Sequence, residues 1–218
     1  MGLPAQGRRL TRLLVVCAVA VEREAVLAAL PTATVLTSGV GPAAAAAATA
    51  HALASGHRPR GVISAGIAGG YAGSAIGVSV VADRMVAADL GVQTDDAFLD
   101  VEALGFGRST FSPPGQVVAE VVRRIGAAVG TVLTLSSATG TASRAADLAR
   151  RYTPLAEAME GTGVATAAAQ IGLPMLELRA ISNPVGHRDL SRWDLPRALA
   201  ALTAVCASAL TEELPWDS

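Results

Sequence analysis

Met175-Leu176-Glu177-Leu178-Arg179-Ala180-Ile181 runs straight into Ser182-Asn183-Pro184-Val185-Gly186, and the contrast between these two stretches decides the fold. The first reads as a strand. The second is made of turn formers around a proline, which has no N–H to give a ladder, so the strand is predicted to stop at Ile181. Ala156-Glu157-Ala158-Met159-Glu160-Gly161 repeats the arrangement upstream, with an apolar strand over residues 155–159 ending at a carboxylate. In a parallel α/β sheet, ligands gather beyond the carboxyl ends of the strands, which makes Glu160 and Asn183 the first site candidates.

Outward from there, strands and helices alternate along the whole chain. Strands are expected over residues 13–20, 34–37, 61–65, 78–88 and 131–135, with helices over 22–30, 43–54, 116–128, 141–151, 163–171 and 192–212. Pro42 suits the first position of the Ala-rich helix that it opens. The class is α/β: a single domain with a mostly parallel mixed central sheet flanked by helices. Residues 1–12 are expected to form a flexible tail and 13–218 the domain. Residues 89–115 form the one long irregular stretch; it holds Phe98, Phe106 and Phe111, and a loop of that length is expected to be functional.

Composition narrows the function. The chain has 218 residues, 51% of them hydrophobic and 16% charged, which suits a buried sheet between Ala-rich helices. No apolar run reaches the roughly 18 residues of a membrane span. A net charge of −1 without a basic block argues against nucleic acid as a partner. All 17 basic residues are Arg, so a P-loop lysine and Schiff-base chemistry are excluded. Cys17 and Cys206 read as buried reduced thiols, and His51, His57 and His187 lack metal-ligand spacing; no metal or cofactor is expected. Arg8-Arg9 followed by an apolar stretch ending in Ala18-Val19-Ala20 mimics a signal peptide, but cleavage there would remove a central strand. The strand reading is preferred, with a cytoplasmic location.

Gly39-Val40-Gly41-Pro42-Ala43-Ala44 matches a relaxed dinucleotide fingerprint. It follows the second strand rather than the first and lacks the acidic residue that would hold a ribose, so a tight strand-to-helix turn is the better account. Gly66-Ile67-Ala68-Gly69-Gly70 is more informative, because small residues at a strand end let backbone approach a flat ligand.

The Ala20-Val21-Glu22-Arg23-Glu24 segment, the Ser64-to-Gly70 block, Ala158-Met159-Glu160-Gly161 and Arg179-to-Asn183, in this order and spacing, resemble the nucleoside phosphorylase/nucleosidase superfamily. The branch they resemble is that of the methylthioadenosine/S-adenosylhomocysteine nucleosidases. Within it, the Asn-Pro-Val-Gly-His-Arg-Asp ending is most similar to the futalosine-hydrolysing members, which act in menaquinone biosynthesis. The resemblance covers nearly all of the chain after residue 12. It implies that Glu24 activates the attacking water, that Met159 packs under the ribose and that Glu160 binds its hydroxyls. It further implies that Ala68 and Gly69 line the base pocket and that the stretch around Thr139 meets the purine, with Ser182 and Asn183 beside it. Members of the family are commonly homo-oligomers.

The chemistry fits such roles. Breaking a C1′–N9 bond develops positive charge on the sugar, which nearby carboxylates stabilise. Adenine-specific relatives carry Asp where this chain has Asn183. A 6-oxopurine presents acceptors at O6 and N7, which a carboxamide NH₂ satisfies and an ionised carboxylate opposes. Asn183 therefore predicts a hypoxanthine leaving group, and the resemblance implies that the reaction is hydrolysis of futalosine. The benzoate on the 5′ side of that substrate calls for an apolar slot, for which the 89–115 loop is a candidate. It also calls for a cation, for which Arg84, Arg108 and Arg188 are candidates; Asp189 is a candidate partner of Asn183 or Arg188. Glu22 and Glu24 flanking Arg23 disfavour a phosphate dianion, and hence a purine nucleoside phosphorylase. The other readings are a nucleosidase acting on methylthioadenosine or S-adenosylhomocysteine, and a non-catalytic nucleoside-binding protein.

Overall fold

The computed structural model describes residues 13–210 and 214–216. The tail expected over 1–12 lies outside the described residues, and the helix expected over 192–212 is shorter, running from Leu195 to Ala209 with Leu210 as its C-cap. In chain order the elements are β1 (Leu13–Cys17), α1 (Ala20–Ala29), β2 (Thr34–Thr37), α2 (Pro42–Ala54), β3 (Gly61–Gly70), β4 (Ser79–Ala87), β5 (Gly91–Gln93), β6 (Phe98–Asp100) and β7 (Thr110–Phe111). These are followed by α3 (Gly115–Ile125), β8 (Ala128–Thr134), α4 (Ala142–Tyr152), β9 (Ala156–Ala158), α5 (Gly161–Ala169), β10 (Met175–Pro184) and α6 (Leu195–Ala209).

The central sheet runs β10-β4-β8-β9-β3-β1-β2, and β10 also pairs with β3, so its first five strands close on themselves. Pairings of β1 with β2 and β3, of β3 with β10, and of β8 with β4 and β9 are parallel; β10–β4, β3–β9 and β4–β7 are antiparallel. The mostly parallel mixed sheet read from the sequence is therefore present. β1 sits inside the sheet between β3 and β2, with every residue buried.

Two strands run on past their expected ends, and both extensions build the site. β3 does not break at Ala65 but continues through Gly66-Ile67-Ala68-Gly69-Gly70, because those glycines stay extended and pair with β10 and then β9. β10 does not stop at Ile181; it runs to Pro184 over a bulge at Ser182, between the Ile181↔Ala68 and Asn183↔Gly69 pairs. A bulge re-aims the side chains that follow it. Pro184 is tolerated because it stands at the strand's last position.

The sheet's two faces bury separate clusters. Leu176, Leu178 and Ala180 of β10 pack with Val26 of α1 and Leu202 of α6. Met175 and Ile181 face the other way, with Leu14, Val62 and Val164, under α2 and α5. The two Ala-rich helices touch so closely that a Cβ at Gly163 would strike the Pro42 backbone, its carbonyl carbon at 2.8 Å. Gly163→Ala is accordingly expected to lower stability by about 1–3 kcal/mol in denaturant unfolding, the usual range for overpacking against unyielding neighbours. Residues 89–115 are less irregular than expected: β5 and β6 form a hairpin, and β7 adds to β4. Phe106 is 83% exposed at the far end of that segment.

Candidate active site

A cavity of about 410 Å³ opens where β3, β9 and β10 end. Ala68, Gly69, Thr139, Met159, Glu160, Ser182 and Asn183 all line it, so these candidates come together in one place. Glu24 does not. It lies exposed on α1, while Glu22 is 3% exposed and lines the cavity. The reason is the helix register. β1 ends at Cys17 and α1 begins at Ala20, earlier than the 13–20 strand and 22–30 helix read from the sequence. At about 100° per residue, two positions on a helix point to nearly opposite faces. The carboxylate of the first crossover that lines the cavity is therefore Glu22, for which the sequence suggested no catalytic part.

Glu22 does reach its own helix start, its Oε2 accepting from the amides of Ala18 (2.9 Å) and Val19 (3.3 Å). Its Oε1 crosses to β3 and accepts from the Ile67 amide at 2.8 Å. Burial raises its pKa, against the lowering influence of Arg179 and of these amides, with Glu160 adding to the rise. A Cβ at Gly66 would strike Glu22 and lie 2.7 Å from Nη1 of Arg179, so this glycine leaves room for both groups.

Glu160 does not cap α5 with its side chain. Its Oε1 accepts from the Gly41 amide at 3.2 Å and its Oε2 from the Met159 amide at 3.3 Å, and Arg179 Nη2 lies 3.5 Å from Oε2. The glycine turn between β2 and α2 thus serves the carboxylate: Gly41, at φ +99°, aims its amide at Glu160, and Val40 lines the cavity. Glu157 lies on the wall as well, accepting from the Thr139 amide at 2.7 Å and from the Tyr71 hydroxyl at 2.9 Å.

At the other side, Asn183 Oδ1 accepts from Ser182 Oγ at 2.8 Å and its Nδ2 donates to the Pro184 carbonyl at 3.1 Å. One N–H of the carboxamide is left for a ligand. Asp189 is not its partner: Asp189 Oδ1 accepts from the Ser191 amide and hydroxyl. Of the three arginines considered for the 5′ side, only Arg188 lines this cavity, next to His187 and Trp193. Arg84 donates to Thr131 and to the Tyr152 carbonyl, and Arg108 stacks on Phe111 in a different cavity, beneath the 89–115 segment. None of the three phenylalanines lines the cavity that holds the carboxylates, so within the chain the slot is not supplied by that segment.

Sequence reading also missed Arg179 and Glu177, both fully enclosed on β10. The signal was available: two charged residues at alternate positions of a buried strand share a face with Met175 and Ile181. A third and larger groove lies between α2 and α5, lined mainly by Ala50, Leu53, Ile171 and Leu173, and holds no carboxylate. Among the described residues no cluster of His, Cys, Asp and Glu could hold a metal, and no helix is long and apolar enough to cross a membrane.

Comparison with known proteins agrees with this architecture. A family model described as the phosphorylase superfamily matches residues 20–211. Futalosine hydrolase from Streptomyces coelicolor is 51% identical, the match covering 88% of this chain and 92% of that protein. The one from Thermus thermophilus is 35% identical, covering 82% and 81%. Among solved structures, a methylthioadenosine/S-adenosylhomocysteine nucleosidase from Neisseria meningitidis in complex with methylthio-immucillin-A superposes with a TM-score of 0.76 at 21% identity, over 90% of this chain and 97% of that one. Futalosine hydrolase of Helicobacter pylori superposes with a TM-score of 0.75 at 17% identity, over 90% and 96%. By its sequence, and in keeping with its fold, the chain belongs to the phosphorylase superfamily and, within it, to the futalosine hydrolases.

Proposed function

We propose that the chain hydrolyses the N-ribosidic bond of futalosine, releasing hypoxanthine and dehypoxanthine futalosine in menaquinone biosynthesis. One observation carries the reading: Glu22, Glu160 and Asn183, from three separate parts of the chain, line a single cavity beside the flat backbone of Ala68-Gly69. The purine lies against that backbone, with Thr139 and Ser182 at its edges. Asn183 donates to O6 or N7 in the intact nucleoside, and once the departing base has taken a proton from solvent at N7 its Oδ1 accepts a hydrogen bond from that N7–H. Glu160 accepts from the ribose hydroxyls, and Met159 packs under the sugar ring.

Glu22 is the base. As C–N cleavage advances, C1′ becomes cationic, and both carboxylates stabilise it. Water attacks C1′, its proton grows acidic as the new C–O bond forms, and Glu22 takes it. A carboxylate whose proton affinity is raised by burial is better matched to that task than an ordinary one. A phosphate dianion approaching the same carbon would meet two carboxylates, which favours hydrolysis over phosphorolysis.

Arg188, at the cavity rim beside Trp193, is the cation for the benzoate. Arg188→Ala is expected to raise KM for futalosine by about tenfold, the loss of one partly exposed charge-assisted contact, and to leave inosine hydrolysis unchanged. Comparing steady-state kinetics on the two substrates checks it. A cytoplasmic location and assembly into a homo-oligomer complete the reading; exposed apolar side chains such as Phe106 support the second.

The test is to incubate the protein with futalosine, inosine and methylthioadenosine, with and without phosphate, and to assay free base. Hypoxanthine from futalosine with no need for phosphate is the expected result. Adenine as the preferred product would favour the related nucleosidases and overturn the role given to Asn183. Release that depends on phosphate would overturn hydrolysis.

A further inference from the structure

Behind the cavity wall, four charged side chains share one buried space. Arg179, 1% exposed, donates from Nη2 to the Ser64 hydroxyl at 2.9 Å, and the same nitrogen lies 3.5 Å from Glu160 Oε2. Its Nη1 flanks Glu22 across Gly66. Its remaining edge, Nε, donates to Glu177 Oε1 at 2.9 Å. Glu177 touches neither the cavity nor solvent; it is 0% exposed, its Oε2 has no hydrogen-bond partner among the described residues, and a Cβ at Gly161 would strike its carboxylate. Both residues stand on the face of β10 that otherwise presents Met175 and Ile181 to an apolar cluster.

An enclosed carboxylate with an unsatisfied oxygen is destabilising in itself. Balancing the charge of Arg179 does not require it, since Glu160 and Glu22 already supply more negative charge than one guanidinium carries. What Glu177 does uniquely is engage the Nε edge, which fixes the guanidinium plane and leaves both Nη groups turned toward the cavity carboxylates.

We propose that Glu177 is a positioning residue for the hydrolytic reaction, holding Arg179 by its Nε edge and drawing on its charge, so that Glu22 remains a basic acceptor. The charged and titratable groups around this cluster are Glu22 and Arg23 from α1, Cys17 from β1, Glu160 at the start of α5, and Arg179 with Glu177 from β10. Glu22 is pushed up by burial and held down by Arg179. With Glu177 neutral, more of the charge of Arg179 falls on Glu22, which becomes a weaker base.

The inference rests on the hydrolysis proposed above, and the experiment separates the two. The pH profile of futalosine hydrolysis is measured for wild type and Glu177→Gln, which keeps an oxygen for Nε and loses only the charge. The acidic limb is expected to move down by about one pH unit, because a less basic Glu22 stays ionised to lower pH. The plateau kcat is expected to fall about tenfold, with KM within about twofold of wild type. A purely structural Glu177 would change the melting temperature and leave the limb where it was. An unmoved limb with an unchanged kcat in a folded variant overturns this inference alone; absence of hypoxanthine release by the wild type overturns both. Should Glu177→Gln not fold, Glu177→Asp keeps the charge but withdraws it from Nε: kcat should then fall while the limb stays in place, and a wild-type kcat would contradict the proposal.

Discussion

Glu22→Gln is expected to lower kcat for futalosine by about 10³-fold, whereas Glu24→Gln leaves it within about twofold. The amide that replaces Glu22 still has an oxygen to accept from Ile67 or from the Ala18 and Val19 amides, so the fold should hold, but it cannot take the water's proton. The loss falls on kcat and kcat/KM together, because the contact matters only once C1′ is cationic. Glu24 sits exposed on the opposite side of α1 and has no route to the cavity. The pH profile carries the same information. Turnover requires ionised Glu22, and burial raises its pKa above the ordinary carboxylate range. The rate is therefore flat at high pH and falls as pH drops through that raised value, at a pH where a solvated glutamate would still be ionised. Circular dichroism of both variants alongside their kinetics makes the comparison clean.

The second large effect is expected from Asn183→Asp, which should reduce kcat/KM for hypoxanthine release by about 10³-fold or more at neutral pH. The ionised carboxylate would face O6 and N7 as one acceptor against two, and unmatched buried hydrogen bonds discriminate by such factors. An adenine nucleoside, with its 6-amino donor, should lose far less. Measuring both substrates with each protein gives the double ratio, and equal losses on the two would remove Asn183 from base recognition.

Much of this was legible in the sequence because strand ends carry their own chemistry. The Asn183 and Glu160 positions follow from where apolar runs give way to turn formers, and the structure brings both to the cavity although β10 runs on past Ile181. That the α1 carboxylate lining the cavity is Glu22 and not Glu24 was hidden in the sequence for a physical reason. Ala18-Val19-Ala20-Val21 is apolar throughout, and a short apolar run cannot be divided between strand and helix by periodicity. With the strand expected to end three residues late and the helix to start two residues late, nothing in that run showed that Glu22 faces the sheet rather than Glu24, the residue the resemblance implied. Glu177 and Arg179 escaped because charges in a strand are ordinarily assumed to face water. With α6 packed on one face of β10 and α5 on the other, both faces are interior, which the strand's own sequence does not show. The Phe-bearing segment was expected at the substrate slot from length and composition alone, neither of which specifies which cavity a loop borders.

Crystals of Glu22→Gln soaked with futalosine test the central claim most directly, since a variant unable to activate water should hold the intact nucleoside. The account predicts the purine against Ala68-Gly69, the Asn183 carboxamide within hydrogen-bonding distance of O6 or N7, and the ribose hydroxyls on Glu160. A nucleoside bound instead in the groove between α2 and α5, or seated with Asn183 and Glu160 on no common ligand, would contradict it.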